Sequence, residues 1–467
     1  MPASIASAIA ANRFGLGARP GELALIGGDG HEWLRDQLRA PAPALSAPGL
    51  RSSAQILAQA LELRRESRAQ RTVQSAGSAR APEDAVQRLP QYLRPIYTLE
   101  VTARLQHAVS TERPFLERLT QFWANHFAIS IDKLFIAGLA GSFEREAIRP
   151  HVLGHFSDML LAVETHPAMQ VYLDNYLSVG PHSPAAQRRV RREKPRIGIN
   201  ENLAREILEL HTLGVGGGYT QQDVTTFAEV ISGWSIAAEG GRFGGGDPGR
   251  FLFRPELHEP GSKAMLGRRY TQEGFAQGVA VLRDLAAHPA SAHFVATKLT
   301  RHFIADEPPP QAVARLADAF TRTGGHLPSV YAALIDAREA WLEPLAKYKS
   351  PADYVVSCYR GLSVPVEADR VALAPFEALG QRTWQPGSPA GWPDRSADWD
   401  GASGLLKRIR WADAVGARLG NRRDALQLAP QLLGANLRAA TGEAVMHASS
   451  AAQALTLLLA SPEFMRR

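Results

Sequence analysis

Asn200-Glu-Asn-Leu-Ala-Arg-Glu-Ile-Leu-Glu-Leu-His-Thr-Leu-Gly-Val215 is the stretch whose reading decides the fold. Asn200 suits an N-cap, and Gly214 stands where a helix commonly ends in a left-handed residue. Steps of about 100° per residue put Leu203, Ile207 and Leu210 on one stripe and turn Asn202, Arg205 and Glu209 away from it. The spacing therefore predicts an amphipathic helix of about four turns. Glu206 and His211 border its stripe on opposite sides. Arg205 lies four residues from both Glu201 and Glu209, so Glu209 has a local partner in a pair worth a few tenths of a kcal/mol. Glu206 has no such partner in the helix, and a carboxylate at the edge of a buried face needs a hydrogen bond or a cation from elsewhere.

Helical spacing of apolar residues recurs outward from this segment, at Ile56 to Leu63, Phe115 to Phe127, Phe294 to Phe303 and Ala451 to Leu459. Strand signals are few. Arg250 to Phe253 follows the glycine-rich stretch Gly240 to Gly249, and a second short extended candidate lies at Ala264 to Leu266. The expected fold is mainly α, a multi-helical globular body with a small β-hairpin around residues 249–268. Linker-like composition marks flexible insertions at 70–82 and 181–198, and Pro and Gly exclude regular structure from Pro386 to Asp400. No fixed-period repeat emerges, so a solenoid is not expected.

With 467 residues, 45% of them hydrophobic, the chain can bury a large core. Its longest apolar stretches, such as Ala451 to Ala460, are half the roughly 20 residues a membrane-spanning helix needs, so no membrane span is expected. No signal peptide is recognisable, which leaves the cytoplasm and export with a partner both open. The lone Cys358 sits in an apolar segment that reads as core; it excludes an internal disulfide framework and a multi-cysteine zinc site. The 52 cationic and 46 anionic residues are nearly balanced, but Arg188, Arg189, Arg191, Arg192, Lys194 and Arg196 cluster around a single Glu193. This 188–196 segment reads either as a solvated loop or as a site for an anionic polymer. No aromatic residue interleaves with its charges and no nucleic-acid-binding motif is present, so nucleic acid is not specifically indicated.

Several ordered motifs carry a family resemblance. They are Asn12-Arg-Phe-Gly-Leu-Gly-Ala-Arg-Pro-Gly21, Phe122-Trp-Ala-Asn-His-Phe127, Tyr172-Leu-Asp-Asn175, the stretch from Asn200 to Val215, Gly218-Tyr-Thr-Gln221, Gly233-Trp234, His288-Pro289, Lys298 to Asp306, and Gly391-Trp-Pro-Asp394. In this the chain resembles the bacterial family catalogued as domain of unknown function 1800, from about residue 10 to the C-terminus. The resemblance implies one continuous helical domain over residues 1–467 and, because genes of members often lie beside a sulfatase-like family, a sulfatase-like companion protein. It implies no reaction.

The chemistry is read from the residues. Phe115, Leu116, Leu119, Phe122, Trp123 and His126 fall on one helical face, so His126 points where a core residue should. His302 lines up with Val295 and Leu299 and also faces inward, with Lys298 beside it; Asn125 and Arg301 flank the two histidines. If the helices bearing His126, His211 and His302 converge, the imidazoles and Glu206 would make an acid-base cluster or a divalent-metal site. No His-Glu-x-x-His pair occurs, so any metal ligands would come from distant segments. Asp174, Asn175, Trp392 and Asp394 lie at turns and loops, where binding residues concentrate, and Trp384 and Trp399 offer stacking surfaces near Asp394. The glycines at 216–218 follow a helix and precede a Thr220 to Asp223 capping box, which excludes a phosphate loop. Without a Gly-x-Ser-x-Gly elbow, covalent catalysis lacks support.

Two functions follow as expectations. One is a hydrolase or transferase on a polymeric or glycosidic substrate, using Glu206, His126, His211 and His302 as catalytic groups and Asn125, Asp174, Asn175, Lys298, Arg301, Trp392 and Asp394 to bind substrate. The other is a non-catalytic accessory protein of the sulfatase-like companion. The enzyme predicts a shared cleft; the accessory protein predicts separate, hydrogen-bonded core histidines.

Overall fold

The computed structural model describes residues 4–75, 83–192, 198–240, 244–342, 345–366 and 372–467. Helices dominate the described residues, as expected. Two small antiparallel sheets accompany them, β1 (Trp234–Ile236) with β2 (Phe251–Phe253), and β3 (Lys263–Met265) with β4 (Arg268–Tyr270). The hairpin is therefore at β3 and β4, with Leu266 and Gly267 both at positive φ in its tight turn, the backbone a two-residue hairpin turn requires. Phe251–Phe253 pairs with β1 upstream rather than with the second extended segment, a register set by the buried Trp234 against Phe251 and Phe275.

The helix Ser53–Ser75 runs into the stretch expected to be an insertion at 70–82; residues 76–82 lie outside the described ones. In the 181–198 stretch, Pro184–Val190 forms a short helix capped by Ser183, and residues 193–197, with Glu193, Lys194, Pro195 and Arg196, lie outside the described residues. No helix among the described residues is long and apolar enough to cross a membrane.

Two large apolar clusters, with a small third one of Val179, Ala186 and Leu257, make up the core of the described residues. The first draws on residues from Ile9 to Ala340, and the second joins Leu16, Leu105 and Ala108 to residues between Tyr348 and Met465. Buried polar groups tie these two together. Arg360 donates to both oxygens of Glu22 and to the carbonyls of Gly17, Ala108, Val109 and Thr111, so the Asn12–Gly21 motif is stitched to the helix Pro351–Gly361. Arg118 and Arg467 meet Asp353 in the same seam, at 2.9 and 3.2 Å.

The helices Pro114–His126 and Pro289–Phe303 frame that seam. Each starts on a proline, where a missing N–H costs nothing and φ is already helical. His288 caps the second by accepting from the Ala290 N–H at 3.1 Å. Phe14, Phe115 and Phe303 pack with ring centroids 5.6–5.8 Å apart and fix the two helices at one end. The signature helix differs from expectation at both ends: Glu201 rather than Asn200 stands at the N-cap position, although Asn200 accepts from the Asn202 N–H at 2.9 Å, and Asn202–Glu206 is α-helical but Ile207–His211 is a π-helical turn. The wider turn takes in an extra residue, so an even 100° step no longer places its end. His211 is carried from the border of the stripe to full burial. Arg205 bridges Glu201 and Glu209 as expected, Gly214 closes the segment at φ +82°, and the Thr220–Asp223 capping box forms.

Candidate functional site

A cleft of about 370 Å³ opens at the seam between the two clusters. Arg118, Gln121, Phe122, Asn125 and His126 line it from the first framing helix, and Lys298, Arg301 and His302 from the second. Helical spacing explains both sets: positions i, i+3, i+4, i+7 and i+8 share a face, as do i, i+3 and i+4. The irregular segment 381–399 closes the cleft with Trp384, Trp392, Asp394 and Trp399. Seven of the eleven expected site residues thus meet here.

His302 and Asp394 form a hydrogen-bonded pair in the cleft lining. The His302 Nδ1–H donates to the Asp394 carboxylate, with oxygens at 3.0 and 3.1 Å, and His302 Nε2 is buried with no hydrogen-bond partner among the described residues. This is the arrangement that orients a general base: one nitrogen held by a carboxylate, the other presenting its lone pair. Burial lowers the His302 pKa below its ordinary value although Asp394 opposes the shift, so the imidazole is neutral at pH 7. Burial works against ionising Asp394 too, but the hydrogen bond from His302, with the charges of Lys347 and Arg467, holds its carboxyl low.

The protein spends many contacts on placing Asp394. Lys347 bonds its carbonyl oxygen and the Asp306 carboxylate, and Asp306 accepts from the Ser396 N–H at 2.9 Å. Asn125 holds the loop from the other side, donating to the Trp392 carbonyl at 2.9 Å and accepting from the Trp392 N–H at 2.8 Å. Asn125 was expected to bind substrate; its amide is instead committed to the loop. Gly391, at φ +83°, lets this approach happen, since a Cβ there would lie 2.4 Å from the Asn125 carbonyl oxygen. Asn125→Asp is expected to set a carboxylate oxygen against the Trp392 carbonyl and to cost about 1–3 kcal/mol. Hydrogen exchange at 388–396 should speed up; unchanged protection would show that Asn125 does not hold the loop.

His126 is fully buried at the cleft wall. Its Nε2–H donates to the His211 carbonyl at 3.1 Å, leaving Nδ1 without a partner among the described residues. Burial, then Lys298 and His211, keep it well below the usual imidazole range and therefore neutral. Phe122 packs against both the His126 and His302 rings, at 6.3 and 5.4 Å. Lys298 is the counterpart to these bases. Burial lowers its pKa to about 8, with Asp394 opposing and Arg301 adding to the shift. Among the described residues its ammonium has no ion-pair or hydrogen-bond partner and lies over the Phe294 ring at 5.5 Å.

Four expected site residues lie elsewhere. His211 is a core residue whose Nδ1–H meets Glu164 at 2.7 Å, both side chains fully buried, and it reaches the cleft only through its carbonyl. Glu206 is half-buried outside the cleft lining; burial raises its pKa. Asp174, at positive φ, pairs with Lys133 at 2.5 Å, and Asn175 is buried and donates to Gln170 and to the carbonyls of Ile231 and Trp234. Among the described residues no group of three or more His, Cys, Asp or Glu side chains is placed to hold a metal ion. Sequence reading passed over Arg118, Gln121, Asp353 and Arg467. The first two share the helical face of Phe122, Asn125 and His126, so periodicity alone would have found them; nothing local marks the others.

Fold and site together define a mainly helical protein with a polar cleft built around a histidine-carboxylate pair. The chain belongs to the family described as a protein of unknown function, DUF1800, whose model matches residues 9–466. No curated protein and no solved structure matches it.

Proposed function

We propose that the protein is an enzyme, a hydrolase or transferase on a glycosidic or polymeric substrate, with His302 as its general base. The observation that carries this is the His302–Asp394 pair in the cleft lining, with Nε2 buried and without a hydrogen-bond partner among the described residues. His302 takes the proton from a water or substrate hydroxyl, Asp394 steadies the imidazolium that forms, and the Lys298 ammonium stabilises negative charge developing beside it. Trp392 and Trp399, with ring centroids 6.0 Å apart, supply stacking surface for a sugar ring at the cleft mouth. Glu206 and His211 have no part in this scheme.

The test is a screen of polysaccharides and glycosides for turnover by the wild type and by His302→Gln. The variant should lose activity by about 10²–10⁴-fold. The pH profile gives a second check. Activity requires neutral His302 and charged Lys298, so it should rise as pH passes through the lowered imidazole pKa and fall above about 8. Full activity in His302→Gln would remove the proposal.

A further inference from the structure

We infer that the cleft contains a subsite for an oxyanion, a sulfate, phosphate or carboxylate group carried by the substrate, formed by Lys298 with Arg118 and Gln121. The inference rests on the proposed enzyme reading only for the meaning of its position beside His302; the binding it predicts is independent of turnover. Seven cationic side chains line the cleft against three carboxylates. Most of the cations are spoken for: Arg104 by Glu144 at 2.7 Å, Arg467 by Asp353 at 3.2 Å, Arg382 by Glu377 at 3.3 Å and Arg395 by Glu307 at 3.8 Å. Lys298 is not.

Two further donors are left over. Arg118 gives Nη1 to Asp353 and Nε to the Gly15 carbonyl, but its Nη2 is buried with no hydrogen-bond partner among the described residues, and so is Gln121 Nε2. Arg118 is itself 1% exposed. Unsatisfied buried donors are costly, and a native protein rarely keeps several in one place unless something fills them. An ammonium, a guanidinium N–H and an amide N–H lining one cleft ask for an acceptor-only group with several oxygens. A tetrahedral or carboxylate anion meets that demand, and a neutral hydroxyl does not balance the charge. A substrate so held would present an adjoining hydroxyl or glycosidic bond to His302. This points to an acidic saccharide within the broader glycosidic class.

The full chain should be titrated with sodium sulfate, sodium phosphate, sodium glucuronate and, as the neutral control, glucose, at constant ionic strength, reading heat or tryptophan fluorescence. At least one anion should bind saturably and glucose should not compete. A response to sulfate or phosphate alone assigns a tetrahedral group; a response to glucuronate assigns a sugar carboxylate. Lys298→Met should weaken binding about tenfold or more, and Lys298→Arg, which keeps the charge, should stay within a few-fold of wild type. Arg188→Gln with Arg192→Gln, on exposed residues of the basic segment, should leave binding unchanged. Asp394→Asn should bind the anion at least as tightly as wild type while losing turnover. Absence of saturable binding, wild-type affinity in Lys298→Met, or loss of binding in the basic-segment variant would each overturn the subsite. Normal turnover in Asp394→Asn would instead remove the general-base reading and leave the subsite standing.

Discussion

Asp394→Asn is expected to lower turnover by about 10⁴-fold without unfolding the protein. An asparagine amide can offer its NH₂ to His302 Nδ1, which then accepts, and the imidazole proton moves to Nε2. The cleft would then face an N–H where the wild type presents a lone pair, and the base is lost through its tautomer rather than its position. The backbone anchors are unaffected, because Lys347 bonds the carbonyl of residue 394 and Asn125 holds Trp392 through backbone groups. Removing one partly exposed carboxylate should leave the melting temperature within a few degrees. Nitrogen chemical shifts of His302 report the tautomer directly and need no substrate. If Nδ1 keeps its proton in the variant, or turnover is unchanged, the role of Asp394 is wrong.

Arg149→Met is expected to cost about 3–5 kcal/mol of stability, the usual penalty for leaving a buried charge without its partner. Arg149 is 3% exposed and donates to both oxygens of Glu117, at 2.5 and 3.0 Å, and to Glu144 at 3.3 Å. His107 also approaches Glu117, and Arg104 bonds Glu144 while lying over the Trp384 ring at 5.5 Å. The cluster thus ties the base of one framing helix to the helix Glu83–Ser110 and to the segment that closes the cleft.

The pH dependence has a definite sign. Burial opposes ionisation of Glu117, but Arg149 and His107 outweigh it and hold the carboxyl far below its ordinary value. A carboxylate with a depressed folded pKa contributes stability that is complete above its unfolded value, about 4.3, and is lost as pH falls toward the folded value. In the variant the burial effect prevails, Glu117 is raised, and protonation in mild acid relieves the unpaired charge. The stability gap between wild type and variant, measured by denaturant unfolding, should therefore be widest near pH 7 and narrow by pH 4. Adding Glu117→Leu to Arg149→Met should recover part of the loss, since replacing a whole buried pair is often nearly neutral. A gap that stays constant with pH would mean that Glu117 does not depend on Arg149.

Helical periodicity made much of this legible beforehand. The faces carrying His126 and His302 could be drawn from spacing alone, because a helix places residues by a fixed local rule and the apolar stripe marks which side is covered. The same rule failed at Ile207–His211, where a π-helical turn breaks the even step and moves His211 into the core beside Glu164. It also could not separate a residue that binds a ligand from one that binds the chain. Asn125 and Asn175 stand at motif positions, yet both use their amides to join backbone segments.

Sequence by itself determined the helical class, the two helices that frame the cleft and the inward aim of their histidines, since all three follow from hydrogen bonding and burial within about four turns of chain. Tertiary structure alone decided that Asp394 meets His302 across 92 positions, that Arg118 and Arg467 share Asp353, and that Lys298 has no ion-pair partner among the described residues. Local pattern cannot fix such partnerships. They depend on which distant segments the packing of two apolar clusters brings together, and on which charges remain after every other buried group has found its partner.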